Sequence, residues 1–170
     1  MEYKSYILDN GIRLLHVNKK SPVAYCGMII NAGSRDENDN EQGIAHFIEH
    51  TIFKGTQKRK VYHILSRMDD VGGELDAFTT KEETWVYGIF LNKYYDRCLE
   101  LISDIVFNSV FPEKELEKEK VVVLDEINSY KDTPSEQIYD DFEEMIFKDH
   151  PLGKNILGNK SSIKQFERND

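Results

Sequence analysis

The sequence predicts an α+β domain in which helices stack on one face of a mostly antiparallel sheet. Three observations predict it. Stretches rich in aromatic and β-branched residues lie at 6–17, 23–31 and 75–91, the signature of strands. Apolar residues at helical spacing recur at 43–53, 60–71, 94–108, 113–131 and 134–148. Glycine or proline marks most of the junctions between these stretches. Strands, helices, strands and then a run of helices is the order of an α+β sandwich rather than of an alternating parallel fold. The 170 residues suffice for one domain, and a domain of that size buries about two-thirds of the surface its unfolded chain exposes.

Taken in order, Tyr6-Ile7-Leu8 and Ile12 to Val17 read as two short strands around the turn Asp9-Asn10-Gly11. Val23 to Asn31 is almost continuously apolar, the pattern of a central buried strand, and ends at Ala32-Gly33-Ser34. Helical spacing follows at Ile44, Phe47, Ile48, Ile52 and Phe53, with Gly55 as the stop. A second helix over 60–71 halts at Gly72-Gly73, and residues 75–79 and 84–91 form a strand pair. Next come an amphipathic helix over 94–108 and a long charged helix over 113–131. The latter carries an apolar stripe at Leu116, Val123 and Ile127. Pro134 permits a new helix start, running to about Lys148. One more short helix is expected near Ser161-Ser162. The chain stops without a closing strand, which predicts a fold truncated before its last elements.

Composition excludes several classes of function. Hydrophobic residues make up 39% and charged residues 31%, so neither disorder nor a membrane protein is indicated. No uncharged apolar run approaches the roughly 20 residues of a membrane span. Met1 to Ser5 leads directly into a strand pattern, without an apolar leader segment, so the expected location is the cytoplasm. The net charge of −9 and the absence of a basic stripe argue against a nucleic-acid partner. The one basic cluster, Lys54, Lys58, Arg59 and Lys60, reads as a solvated helix entry. Cys26 and Cys98 are far apart and belong to no CxxC pair, so reduced thiols are expected.

The chemistry lies in His46-Phe47-Ile48-Glu49-His50. On a helix the two histidines fall one turn apart on one face, so both imidazoles can reach a single ion. Glu49, three residues after His46, can address the same ion's open coordination site. The arrangement is HxxEH, the reverse of the usual HExxH of zinc peptidases. Chance yields it in about 1–2% of shuffled sequences of this composition. A third ligand is needed, since three protein ligands and a water make a catalytic zinc site, whereas structural sites are closed by four. Glu119 and Glu126 lie seven apart on one face of the long helix. Spacing alone leaves open whether Glu126 is a ligand or an exposed, salt-bridging residue.

Several separated motifs then resemble the M16 family of zinc peptidases, the pitrilysin and mitochondrial processing peptidase group. Asn31-Ala32-Gly33-Ser34-Arg35-Asp36-Glu37 is similar to its GSR-x-E loop, and Gly43 to Thr56 to its G-x-AHFLEH-x-x-FKGT signature. Gly72-Gly73-Glu74-Leu75-Asp76-Ala77-Phe78-Thr79, with Glu82 and Thr84, resembles its GG-x-x-NA-x-T-x-x-E-x-T segment, except that Asp76 stands where the family commonly has Asn. Glu119 and Glu126 match its paired glutamates.

The resemblance implies an M16 or LuxS-like metallohydrolase fold and one Zn2+ held by His46, His50 and Glu126. It implies that Glu49 activates water as the catalytic base and that Glu119 supports the site. It also implies that Asp76, Ala77, Phe78 and Thr79 form an edge strand that pairs with peptide substrate. Family members carry a companion domain or subunit that closes the site and supplies an Arg and a Tyr. The resemblance therefore implies that residues 1–170 are the amino-terminal domain of a longer zinc metalloendopeptidase, weak or inactive alone. The competing expectation is a non-catalytic core or chaperone-like subunit of a two-subunit peptidase.

Overall fold

The structure, a computed structural model, describes residues 2–169. Strands β1 (Lys4–Ile7) and β2 (Arg13–His16) form an antiparallel hairpin, turned by Gly11 at φ +85°. Strands β3 (Val23–Ile30), β4 (Glu74–Thr79) and β5 (Thr84–Leu91) form a second antiparallel sheet in the order β3-β5-β4. The helices are α1 (Ile44–Thr51), α2 (Val61–Asp69), α3 (Tyr95–Asn108), α4 (Glu113–Lys131), α5 (Pro134–Ile146) and α6 (Lys160–Gln165). Mixed helix and antiparallel sheet is the predicted class, and each predicted element is present with ends shifted by a few residues. Among the described residues no helix is long and apolar enough to cross a membrane.

Two apolar clusters hold these elements. In the first, Val86, Phe90 and Ala77 of the sheet meet Ile64 and Met68 of α2 and Cys98, Leu101, Ile102 and Ile105 of α3. In the second, Phe47 of α1 meets Leu116, Val123 and Ile127 of α4, together with Ile163 and Phe166 at the end of the chain. The first cluster covers one face of the sheet. The second fastens α1 to α4. Both cysteines are free thiols, Cys98 buried and Cys26 half-buried.

One expectation is corrected. Val23 to Asn31 is not a central buried strand: β5 is central, and β3 has a partner on one side only among the described residues. Its run is apolar on both faces, but only Ala24, Cys26, Met28 and Ile30 pack into the core. Tyr25, 66% exposed, and Ile29 point from the opposite face. A continuous apolar run signals two hydrophobic faces without saying that both are covered.

The account predicts that Ile102→Ala costs about 2–5 kcal/mol of stability, because Ile102 is fully buried. Tyr25→Ala should stay within about 0.5 kcal/mol. Urea unfolding of the two variants checks both values, and a large cost at Tyr25 would mean that the outer face of β3 is covered in solution.

Candidate metal centre

The centre is built from the start of α1. Gly43 sits at φ +91°, a left-handed conformation that glycine adopts without strain. A Cβ there would also lie 2.7 Å from the Leu157 carbonyl oxygen and 3.0 Å from the Gly158 Cα. Glu37 reaches over this turn, and its carboxylate accepts N–H bonds from Gly43 at 2.8 Å and Ala45 at 3.0 Å. Those N–H groups open the helix and have no partner within it. At the other end, the Thr51 hydroxyl donates back to the Phe47 carbonyl at 2.7 Å. Phe47 points into the cluster with Val123 and Ile127 of α4. His46 and His50 lie beside that seam from α1, and Glu126, next to Ile127, lies beside it from α4.

The seam brings these three side chains together. The Nε2 atoms of His46 and His50 lie 3.8 Å and 3.2 Å from Oε2 of Glu126. One ligand atom from each residue falls within 4.8 Å of the others, close enough to share an ion. Among the described residues no other group of His, Cys, Asp and Glu meets that condition. His46 is 6% exposed. Burial, with a contribution from nearby His50, lowers its pKa to about 4, so its imidazole is neutral at physiological pH, the form that binds metals. Its Nδ1 is buried without a hydrogen-bond partner. For His50, Nδ1 faces Oε2 of Glu119 at 3.4 Å, while Oε1 of Glu119 pairs with the Lys54 ammonium at 2.8 Å. A carboxylate behind an imidazole is the arrangement that orients a metal-binding histidine. Two neutral imidazoles and a carboxylate fit the donor set of an open zinc site.

Comparisons with known proteins give the family. A sequence model described as Insulinase (Peptidase family M16) matches residues 13–160. The chain belongs to peptidase family M16. It is 42% identical over 163 residues to an uncharacterized zinc protease of Rickettsia bellii, covering 95% of this chain and 39% of that relative. A protease structure from Helicobacter pylori superposes with a TM-score of 0.92 at 26% identity, covering 98% of this chain and 40% of that one. The inactive M16 peptidase domain of Pseudomonas fluorescens superposes with a TM-score of 0.88 at 19% identity, covering 98% and 41%, and so speaks to the fold alone. The chain thus spans about two-fifths of the length of these relatives.

Within this M16 domain Glu49 lies between the histidines and the sheet. Burial raises its pKa above the ordinary carboxylate value, opposed by hydrogen bonds from Thr79 and by nearby His50. Thr79 of β4 lies near the α1 carboxylate, and its hydroxyl donates to the Ala45 carbonyl at 3.4 Å. The other three residues expected in the substrate strand lie along β4, which pairs with β5 on one side only among the described residues. Ala77 points into the core. Phe78 stacks on Trp85 at 5.4 Å, and Asp76 accepts a bond from the Tyr87 hydroxyl at 3.3 Å. Asp76 and Phe78 thus engage aromatic neighbours on β5 rather than the histidine cluster.

Of two further residues at the site, one was misread in the sequence and one went unassigned. Lys54 is not part of a solvated helix entry: it is paired with Glu119. Arg59 from the same cluster pairs with Glu100 and Asp104 of α3. Glu37 is the other, and its only sequence signal was its place in the GSR-x-E loop. The remaining motif residues act as pins. Arg35 pairs with Glu82, and the Thr84 hydroxyl donates to the Ala32 carbonyl at 2.9 Å. Gly43→Ala should lower stability by more than about 1 kcal/mol, since it adds both a strained φ and a backbone clash. Chemical unfolding measures this, and an unchanged midpoint would mean that the turn before α1 is not held as described.

Proposed function

We propose that the chain is the metal-binding, amino-terminal catalytic domain of a longer zinc metalloendopeptidase. Relatives named as zinc proteases support this, and one observation carries it: His46, His50 and Glu126 converge to within 4.8 Å, with Glu49 on the same helix. His46, His50 and Glu126 would hold Zn2+, which when bound supplies Lewis acidity that lowers the pKa of water and polarises a peptide carbonyl.

The protein's own groups do the rest. Glu49 accepts the proton of the attacking water and passes it to the leaving amine. Its raised pKa suits that double task, because a carboxylate of ordinary acidity holds a transferred proton poorly. Thr79 keeps the carboxylate from swinging away. Glu119, held by Lys54, fixes the ring of His50 so that Nε2 faces the metal position. The free side of β4 offers backbone N–H and C=O groups to an extended peptide, which gives affinity with modest sequence selectivity. Asp76 adds a negative charge along that strand. A companion M16-like domain or subunit completes the site, and the 170 residues alone hydrolyse peptides weakly or not at all.

The test uses a quenched fluorescent peptide library, with the companion domain supplied. Glu49→Gln should keep its zinc and lose about 10²–10⁴-fold in kcat. Undiminished turnover by that variant would remove Glu49 from its role. Zinc binding without turnover in the completed wild-type protein would instead favour the non-catalytic subunit.

A further inference from the structure

Glu37 is a buried carboxylate beside the histidine cluster. It is 7% exposed, lies outside α1, and takes no part in the chemistry above. Its two oxygens divide their work: Oε2 accepts from Gly43 N–H and Oε1 from Ala45 N–H. These donors precede His46 by three residues and by one. The same end of α1 is gripped by the tail of the chain. Lys154 donates to the Glu37 carbonyl, the Ser162 hydroxyl donates to the Gln42 carbonyl at 2.6 Å, and Asn159 donates to the Gln42 side chain at 3.0 Å. Nothing else among the described residues accepts from Gly43 and Ala45.

We propose that Glu37 is a positioning residue for the metal centre: its two carboxyl oxygens clamp the first turn of α1 and so fix where His46 and Glu49 point. The inference rests on the metal-site reading given above. A carboxylate accepting two backbone N–H groups at a helix start forms strong, charge-assisted bonds and meets the positive end of the helix dipole. A neutral carboxyl loses both advantages but escapes the cost of burying a charge, and that cost is the larger. Burial raises the Glu37 pKa to about 7, despite the opposing bonds from Ala45 and Gly43 and the charge of Lys154, with Glu41 adding to the rise. Other charged groups border the clamp. Asp39 pairs with Lys154, Arg35 and Asp36 lie in the adjoining 3-10 turn, and His46 is the first titratable side chain of α1. Because the clamped carboxyl holds its proton more tightly than a solvated one, the clamp is firmest at low pH and weakens as pH rises towards about 7.

Zinc affinity, by competition with a chromogenic chelator from pH 6 to 8.5, tests this in wild type and Glu37→Gln. Proton competition at the histidines is common to both proteins and cancels in the ratio of their Kd values. That ratio should be about tenfold at pH 6, because Gln offers one acceptor oxygen where Glu37 offers two, and should shrink as pH rises to 8.5. A ratio near one at every pH, or one that rises with pH, would overturn the clamp. Lys154→Met, which keeps the carboxylate, should move the wild-type transition to higher pH. Amide exchange in the metal-free chain reads the clamp directly. Protection at Gly43 and Ala45 should drop about tenfold in Glu37→Gln at pH 6, while protection along α4 stays unchanged. Equal protection in the two proteins, or a loss that extends along α4, would also overturn it. A wild-type chain that takes up no zinc yet shows this exchange pattern would remove the metal reading and leave the clamp standing.

Discussion

The arrangement of the site depends on how α1 lies on α4. Two imidazoles on one helix can face one point, but the third group must come from elsewhere, and a helix surface turns about 100° with each residue. Phe47, Val123 and Ile127 fix the rotation of both helices by burying one face of each against the other. Once they are seated, His46 sits one residue before Phe47 and Glu126 one residue before Ile127, so the polar groups meet at the edge of an apolar contact. Burial at that edge strips water from His46 and keeps its ring neutral. The same packing that stabilises the fold thus prepares a metal-binding donor set.

Around that seam the domain spends its charge sparingly. Glu119 is mostly buried, and it sits between the His50 ring and the Lys54 ammonium, so no carboxylate is left uncompensated there. Glu37 has no such close cation on its carboxylate. Its partners are backbone N–H groups, which explains why burial dominates its pKa. The sheet enters through Thr79, which ties the end of β4 to Glu49 and so sets the distance between the proton-accepting group and the edge where an extended peptide would lie.

Much of this was legible in the residues. Helical spacing gave the order and approximate extent of α1 to α5, and α4 falls on the predicted bounds because Pro112 and the polar residues before Pro134 punctuate it strongly. The HxxEH pattern needs only helix geometry to bring its histidines together. Glu126 was different: its seven-residue spacing from Glu119 places both on one face, but which face meets α1 is decided by contacts between distant segments. Lys54 and Glu37 were hidden for the same reason, since their partners are 65 and 6 to 8 residues away and a charge in sequence does not reveal its partner. The misjudged strand, β3, shows the limit of hydrophobicity as a signal. Val23, Tyr25 and Ile29 are as apolar as the residues behind them, and only the strand order shows which face is covered.

The central claim is that His46, His50 and Glu126 form one three-ligand centre. Elemental analysis of the purified chain after equilibration with zinc at neutral pH tests it most directly, with wild type measured beside His50→Ala and Glu126→Gln. The account predicts about one zinc per wild-type chain and loss of it in both variants, while the fold persists. A wild-type chain without zinc, or variants that retain it in full, would contradict the centre described here.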